Sequence, residues 1–191
     1  MHHTEKQFNA KSSTKYNPYV GKVINSFTAE RLKSVIETSG GQILLGGVET
    51  VNVQDRYLAP TIIKNPSKSS ELMQNEIFGP ILPIVTYNSF SEAVKEVNSH
   101  GKPLAIYYFG STFSHNIKIL ERETSSGALA VNEAMMQVTE SDTGFGGVGM
   151  SGSGRCSGYE AFKMWSNGKA VNIKNAINVF PYNITCPPFD G

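Results

Sequence analysis

Three strand-length apolar runs, at residues 81–86, 104–109 and 128–132, alternate with two helix-length periodic stretches, and this rhythm constrains the fold more than any other feature. Strands joined one to the next by a single helix run parallel with right-handed crossovers, and a parallel sheet is covered on both faces. The predicted class is α/β. The first intervening stretch opens with a capping box, Ser89-Phe-Ser-Glu92, places Phe90, Ala93, Val94 and Val97 on one side and ends by Gly101. The second puts Phe113, Ile117 and Leu120 at i, i+4 and i+7 before Ser126-Gly127 stops it.

Upstream, Thr28 is placed to cap a helix with Glu30 in its first turn and Leu32, Val35 and Ile36 on one face, ended by Gly40-Gly41. Two β-type runs follow, at residues 42–45 and 57–63; Pro60 inside the second demotes it to an edge or bulged position. Downstream, seven glycines fall between Gly144 and Gly158, too many for a helix or strand. A short helix with Tyr159, Phe162 and Trp165 on one side comes next, then a strand over residues 169–174, Lys169-Ala-Val-Asn-Ile-Lys174. The expected organisation is a flexible arm over residues 1–17, one main body over 18–168, and a strand with a tail over 169–191.

With 17 basic and 16 acidic residues the formal charge is +1, which supplies no field toward nucleic acid or anionic lipid. No apolar run approaches the roughly 20 residues that span a bilayer, and the amino terminus has no secretory apolar stretch. Two cysteines, Cys156 and Cys186, form no disulfide framework. An intracellular, reducing and most simply cytoplasmic location is the expectation, and the Asn183-Ile-Thr185 sequon is read as chance.

Gly144-Phe-Gly-Gly-Val-Gly149 matches a dinucleotide fingerprint in form, but eleven mostly polar residues separate it from the preceding strand and no acidic residue follows at the required distance. A loop using positive φ or close backbone approach is the favoured alternative. His100 and His115 lie at a helix end and on a helix, where an exposed histidine needs no role. Cys156 has only Arg155 beside it to lower its pKa, so a reactive thiol there is disfavoured. No cluster has metal-ligand spacing. A lone Glu such as Glu76 is usually solvated surface; the alternative in Asn75-Glu-Ile-Phe-Gly-Pro80 is that the Gly-Pro bend aims Glu76 and Phe78 together at a ligand by a strand terminus, where open α/β sheets often place their sites.

Four ordered motifs then carry a family likeness: Glu76-Ile-Phe-Gly-Pro-Ile-Leu-Pro-Ile-Val85, Lys102-Pro-Leu-Ala-Ile-Tyr107, Glu123-Thr-Ser-Ser-Gly127 with Val131-Asn132, and Phe145-Gly-Gly-Val-Gly-Met-Ser-Gly-Ser-Gly154. The chain resembles the carboxy-terminal half of aldehyde dehydrogenases, most like the class-three or fatty-aldehyde branch, over about residues 17–191. The resemblance implies the catalytic-domain α/β fold of that family, a parallel-containing sheet with flanking helices, and makes residues 169–174 a bridging strand that mediates dimer formation. It implies that Glu76 contacts the nicotinamide ribose hydroxyls, that Phe78 lies beside the nicotinamide, and that Phe145 stands near the substrate tunnel. Gly144 replaces the family's proline, and Arg155-Cys-Ser-Gly158 departs from the class-three Tyr-His-Gly, although Ser151-Gly-Ser-Gly-Arg155 is similar to other branches.

In that family the nucleophilic cysteine, its oxyanion-hole asparagine, the general-base glutamate and the nucleotide-binding domain all precede the segment matching residue 17. The resemblance therefore implies no catalytic residue and no cofactor for this chain alone, with NAD(P) expected if another chain complements it. A non-catalytic structural or interaction subunit is the expectation; the alternative is half of an NAD(P)-dependent enzyme active only with a complementary chain. The partner is expected to be another protein or a second copy, met through the strand over residues 169–174 or the face beside it.

Overall fold

The computed structural model describes residues 19–140 and 142–173. The expected arm, the tail, Cys186 and the sequon lie outside these residues. The chain divides into two compact units, Met1–Glu92 and Ala93–Gly191, each with its own sheet.

The first unit is built on helix α1, Ser26–Glu37. Asn25 caps it: its side-chain oxygen accepts from the Thr28 backbone N–H at 2.7 Å, so the cap lies three residues ahead of the expected Thr28. Asn25 stands in extended backbone, the geometry that lets a side chain reach back to the third residue on. Ala29, Leu32, Val35 and Ile36 are buried at the i, i+3, i+4 spacing, and the last three join Leu58, Ile63, Leu72 and Ile81 in one core cluster.

The sheet packed there has the order β1-β2-β3, with β1 Gln42–Leu45, β2 Thr61–Lys64 and β3 Ile81–Ile84. β1 runs antiparallel to β2 with an irregularity between Ile43 and Leu45; β2 runs parallel to β3, Thr61 opposite Ile81 and Lys64 opposite Ile84. The expected strand over 57–63 is thus corrected. Pro60 precedes β2 rather than interrupting it, and β2 is central, with Thr61, Ile62 and Ile63 all buried. The proline that marks an edge is Pro83 of β3, which has only β2 beside it among the described residues. A one-turn helix α2, Glu71–Gln74, lies on the β2-to-β3 crossover.

Helix α3, Phe90–Asn98, carries the expected N-terminal signal in altered form. Glu92 donates its backbone N–H to Ser89 Oγ at 3.4 Å, while its carboxylate accepts from the Asn88 N–H at 2.9 Å, one residue ahead of the capping-box position.

In the second unit β4, Ala105–Tyr108, pairs parallel with β5, Ala128–Val131, across helix α4, His115–Glu123. This is one βαβ element of the predicted rhythm. The first strand of that rhythm, β3, pairs with β2 instead, so the single three-strand ladder expected from the alternation is replaced by two parallel pairs in two sheets. Phe113 also departs from expectation: Ser114 caps α4 through the Asn116 N–H, Phe113 precedes the helix and is exposed, and Leu120 is the residue α4 buries.

The last helix among the described residues, α5, Gly158–Met164, has no buried residue; Tyr159 and Phe162 are stacked at 6.2 Å between ring centroids and both are exposed. Lys163 donates to Glu160 Oε1 at 2.6 Å, and that bond raises its pKa above the ordinary lysine value. Residues 169–173 are irregular and exposed, so the strand expected over residues 169–174 has no ladder among the described residues.

Candidate functional site

The turn over residues 75–80 is set by alternation. Asn75 leaves α2 in extended backbone, which sends successive side chains to opposite sides. Ile77 packs against the core cluster while Glu76 and Phe78 are exposed, Phe78 at 75%. Phe78 holds φ at 47°, an uncommon conformation for an aromatic residue and one worth a functional question. Gly79 passes directly over Leu32: a Cβ there would stand 2.5 Å from a Leu32 methyl carbon that is fully buried. Beyond it the Pro80 carbonyl accepts from the Thr61 N–H at 2.9 Å, which seats the turn at the start of the β2–β3 ladder.

Among the described residues the Glu76 carboxylate has no hydrogen-bond or ion-pair partner, so both oxygens remain acceptors. Two hydroxyl donors of a ribose diol suit that acceptor pair, and an exposed flat ring two residues on suits a nicotinamide face. The residues present therefore fit the coenzyme that the family resemblance implies.

The second unit holds Phe145. It pairs in a two-residue bridge with Cys156, Phe145 N–H to Cys156 C=O and the reverse, each at 2.8 Å. The Arg155 guanidinium donates to the Gly127 carbonyl at 2.5 Å and to the Gly144 carbonyl at 3.3 Å, tying this loop to the start of β5. It is spent on backbone carbonyls. The Cys156 thiol donates to the Phe145 carbonyl at 3.2 Å.

The glycines of this loop are explained by backbone packing. A side chain on Gly146 would meet the Gly154 carbonyl and one on Gly147 the Ser151 carbonyl, while Gly149, Gly152 and Gly154 hold positive φ. This is the structural alternative to a phosphate cradle. His100 is exposed with Nδ1 2.9 Å from the Glu96 carbonyl, and His115 is exposed on the first turn of α4. Among the described residues no group of three or more His, Cys, Asp or Glu is arranged to hold a metal ion. No helix there is long and apolar enough to cross a membrane.

Sequence reasoning missed the roles of three polar residues, Arg31 at the Glu76–Phe78 turn and Asn65 and Asn132 at the far ends of the two parallel ladders. Arg31 reaches from α1 to the Ile77 carbonyl at 2.6 Å. Asn65 and Asn132 each follow a parallel strand with φ at 47° and 59° and bond across to the neighbouring strand's end. An asparagine just past an apolar run is the signal for the last two, because its side chain tolerates and locally rewards the left-handed conformation.

Over residues 2–171 the chain matches the family model described as "Aldehyde dehydrogenase family". The chain belongs to the aldehyde dehydrogenase family. The match begins ahead of residue 17, where the motif likeness starts, and it stops short of the tail. Among curated relatives, the rat "Aldehyde dehydrogenase, dimeric NADP-preferring" is 36% identical over 182 residues, 94% of this chain and 38% of that protein. Rat "Aldehyde dehydrogenase family 3 member A2" is 38% identical over 179 residues, 92% of this chain and 35% of the other. A solved structure of Staphylococcus aureus AldH in a substrate-bound state superposes with a TM-score of 0.74 at 30% identity, covering 94% of this chain and 41% of that one. This aldehyde dehydrogenase segment thus spans well under half the length of the relatives it matches, and it shares their mixed α/β fold with parallel strands and flanking helices.

Proposed function

We propose that these 191 residues form a portion of the aldehyde dehydrogenase fold that catalyses nothing alone and acts as a structural and interaction subunit. The observation carrying this reading is the condition of Cys156, the cysteine present among the described residues. Thiolate attack on an aldehyde needs a base or a cation that draws the proton off sulfur. The Cys156 thiol instead donates to a backbone carbonyl, and the adjacent Arg155 is engaged with two carbonyls of its own. The face that meets the partner is taken to be residues 169–174 or the exposed aromatic side of α5 beside them, covered by another polypeptide or by a second copy.

A second reading is favoured by the Glu76–Phe78 turn, which keeps an unpaired carboxylate and an exposed ring in place. In it the chain is half of an NAD(P)-dependent aldehyde dehydrogenase, active when a complementary chain brings the nucleophile and the nucleotide-binding domain. The bound coenzyme would accept the hydride. Glu76 would accept hydrogen bonds from the ribose hydroxyls, Phe78 would cover one nicotinamide face and exclude water there, and Phe145 would wall the aldehyde's path.

The deciding experiment is aldehyde-dependent NAD(P)H production by the purified chain, alone and mixed with the amino-terminal portion of a matched relative. No turnover in either case supports the structural subunit, and turnover only on mixing supports the split enzyme. Turnover by the chain alone refutes both, as would a thioester trapped on Cys156 during it.

A further inference from the structure

Among the described residues, the Ile77 carbonyl is the sole backbone group of residues 76–78 with a hydrogen-bond partner. That partner is Arg31 Nη2, 46 positions earlier on α1, at 2.6 Å. The same guanidinium gives Nη1 to Glu71 Oε1 of α2 at 3.3 Å, a part-buried ion pair. One planar group therefore spans two acceptors: a carboxylate that orients it and a carbonyl flanked by the two residues assigned to the coenzyme. Leu32, the next residue of α1, is the one Gly79 packs against, so α1 supports the turn at consecutive positions.

We propose that Arg31 is a positioning residue for coenzyme binding, its bond to the Ile77 carbonyl holding Phe78 in the left-handed backbone that leaves Glu76 and Phe78 presented together. Without it, residues 76–78 have no hydrogen bond among the described residues against the tendency of an aromatic residue to leave positive φ. A charge-assisted bond is roughly twice as strong as a neutral one, and lysine cannot replace it, because a point charge does not span both acceptors. This inference rests on the coenzyme role of Glu76 and Phe78.

The first arm of the test uses the full chain alone. Chymotrypsin cleavage after Phe78 is followed by mass spectrometry relative to cleavage after exposed Phe113, an internal reference that absorbs any global loss of stability. Arg31→Gln and Arg31→Lys should raise the Phe78-to-Phe113 ratio about tenfold, since losing such a bond raises the open population of the turn by that order. Glu71→Gln should raise it much less. An unchanged ratio in both Arg31 variants, or an equal rise in Glu71→Gln, overturns the proposal.

The second arm uses the chain complemented with the amino-terminal portion of a relative. Arg31→Gln should raise the KM for NAD+ or NADP+ about tenfold with kcat held within about threefold, whereas a merely fold-supporting residue lowers active protein without moving KM. An unchanged KM overturns the positioning role. If Glu76→Gln also leaves coenzyme KM unchanged, or the complemented protein never turns over, the coenzyme reading fails, and the cleavage ratio separately decides whether Arg31 holds the turn.

Discussion

Asn65 and Asn132 stand at the same place in two different sheets, each the residue just past a strand of a parallel pair. Each donates its backbone N–H to the neighbouring strand, Asn65 to Ile84 and Asn132 to Tyr108, both at 2.7 Å. Their side chains then continue the ladder where the backbone turns away. Asn65 Oδ1 accepts from the Thr86 N–H at 2.9 Å, and Asn132 pairs with both the N–H and the C=O of Gly110. Asn132→Ala should destabilise by about 1–2 kcal/mol, from the lost bonds and from a Cβ in the left-handed region with no local hydrogen bond to compensate. Asn132→Gly should recover the backbone share of that loss, as urea denaturation of the three proteins would register. At this scale the Gly-Pro bend was legible in the sequence, and the structure shows Glu76 and Phe78 both exposed beside it, their coenzyme roles being proposals. The sequence was opaque for Arg31, whose use depends on meeting a carbonyl 46 positions away.

Elements were found more reliably than their ends or their partners. β3, β4 and β5 fall inside the predicted apolar runs, and α3 and α4 lie between them, because strand length and helical period are local properties. Which strands pair is not local. The alternation of strands with helices fits β3 beside β4 as well as it fits β3 beside β2, and only the burial of Thr61, Ile62 and Ile63 on a central β2 separates the two. Capping erred for a related reason: Asn25 and Thr28 both carry a side-chain oxygen ahead of Leu32, and the extended backbone at Asn25 decides between them. Asn25→Ala should therefore cost about 1 kcal/mol, whereas Thr28→Ala should cost only a few tenths, a contrast readable in thermal melting. Leu32→Ala, inside the core cluster and fully buried, should cost about 2–5 kcal/mol by loss of transfer energy and by the cavity left under Gly79.

For the whole molecule, the proposed interaction role falls on large apolar residues exposed at the carboxy-terminal side of the second unit. Tyr159, Phe162 and Trp165 are 70%, 67% and 83% exposed, and Val171 and Ile173 just beyond them are exposed as well. Large exposed apolar patches mark contacts in soluble proteins, so the proposed partner would cover these side chains. The chain's single tryptophan is among them, which makes Trp165 a reporter of its own environment. Alone and dilute, Trp165 should be strongly quenched by acrylamide. Raising the concentration, or adding the amino-terminal portion of a relative, should lower the quenching constant at least twofold while light scattering records a larger particle. The double variant Phe162→Ser with Tyr159→Ser should abolish both changes and leave the Leu32 core of the first unit intact by melting. A monodisperse monomer whose Trp165 stays fully quenchable at every concentration and with every partner portion would mean that this face is ordinary surface. The interaction role would then fall, whereas the argument against catalysis by this part of an aldehyde dehydrogenase alone, which stands on Cys156, would be untouched.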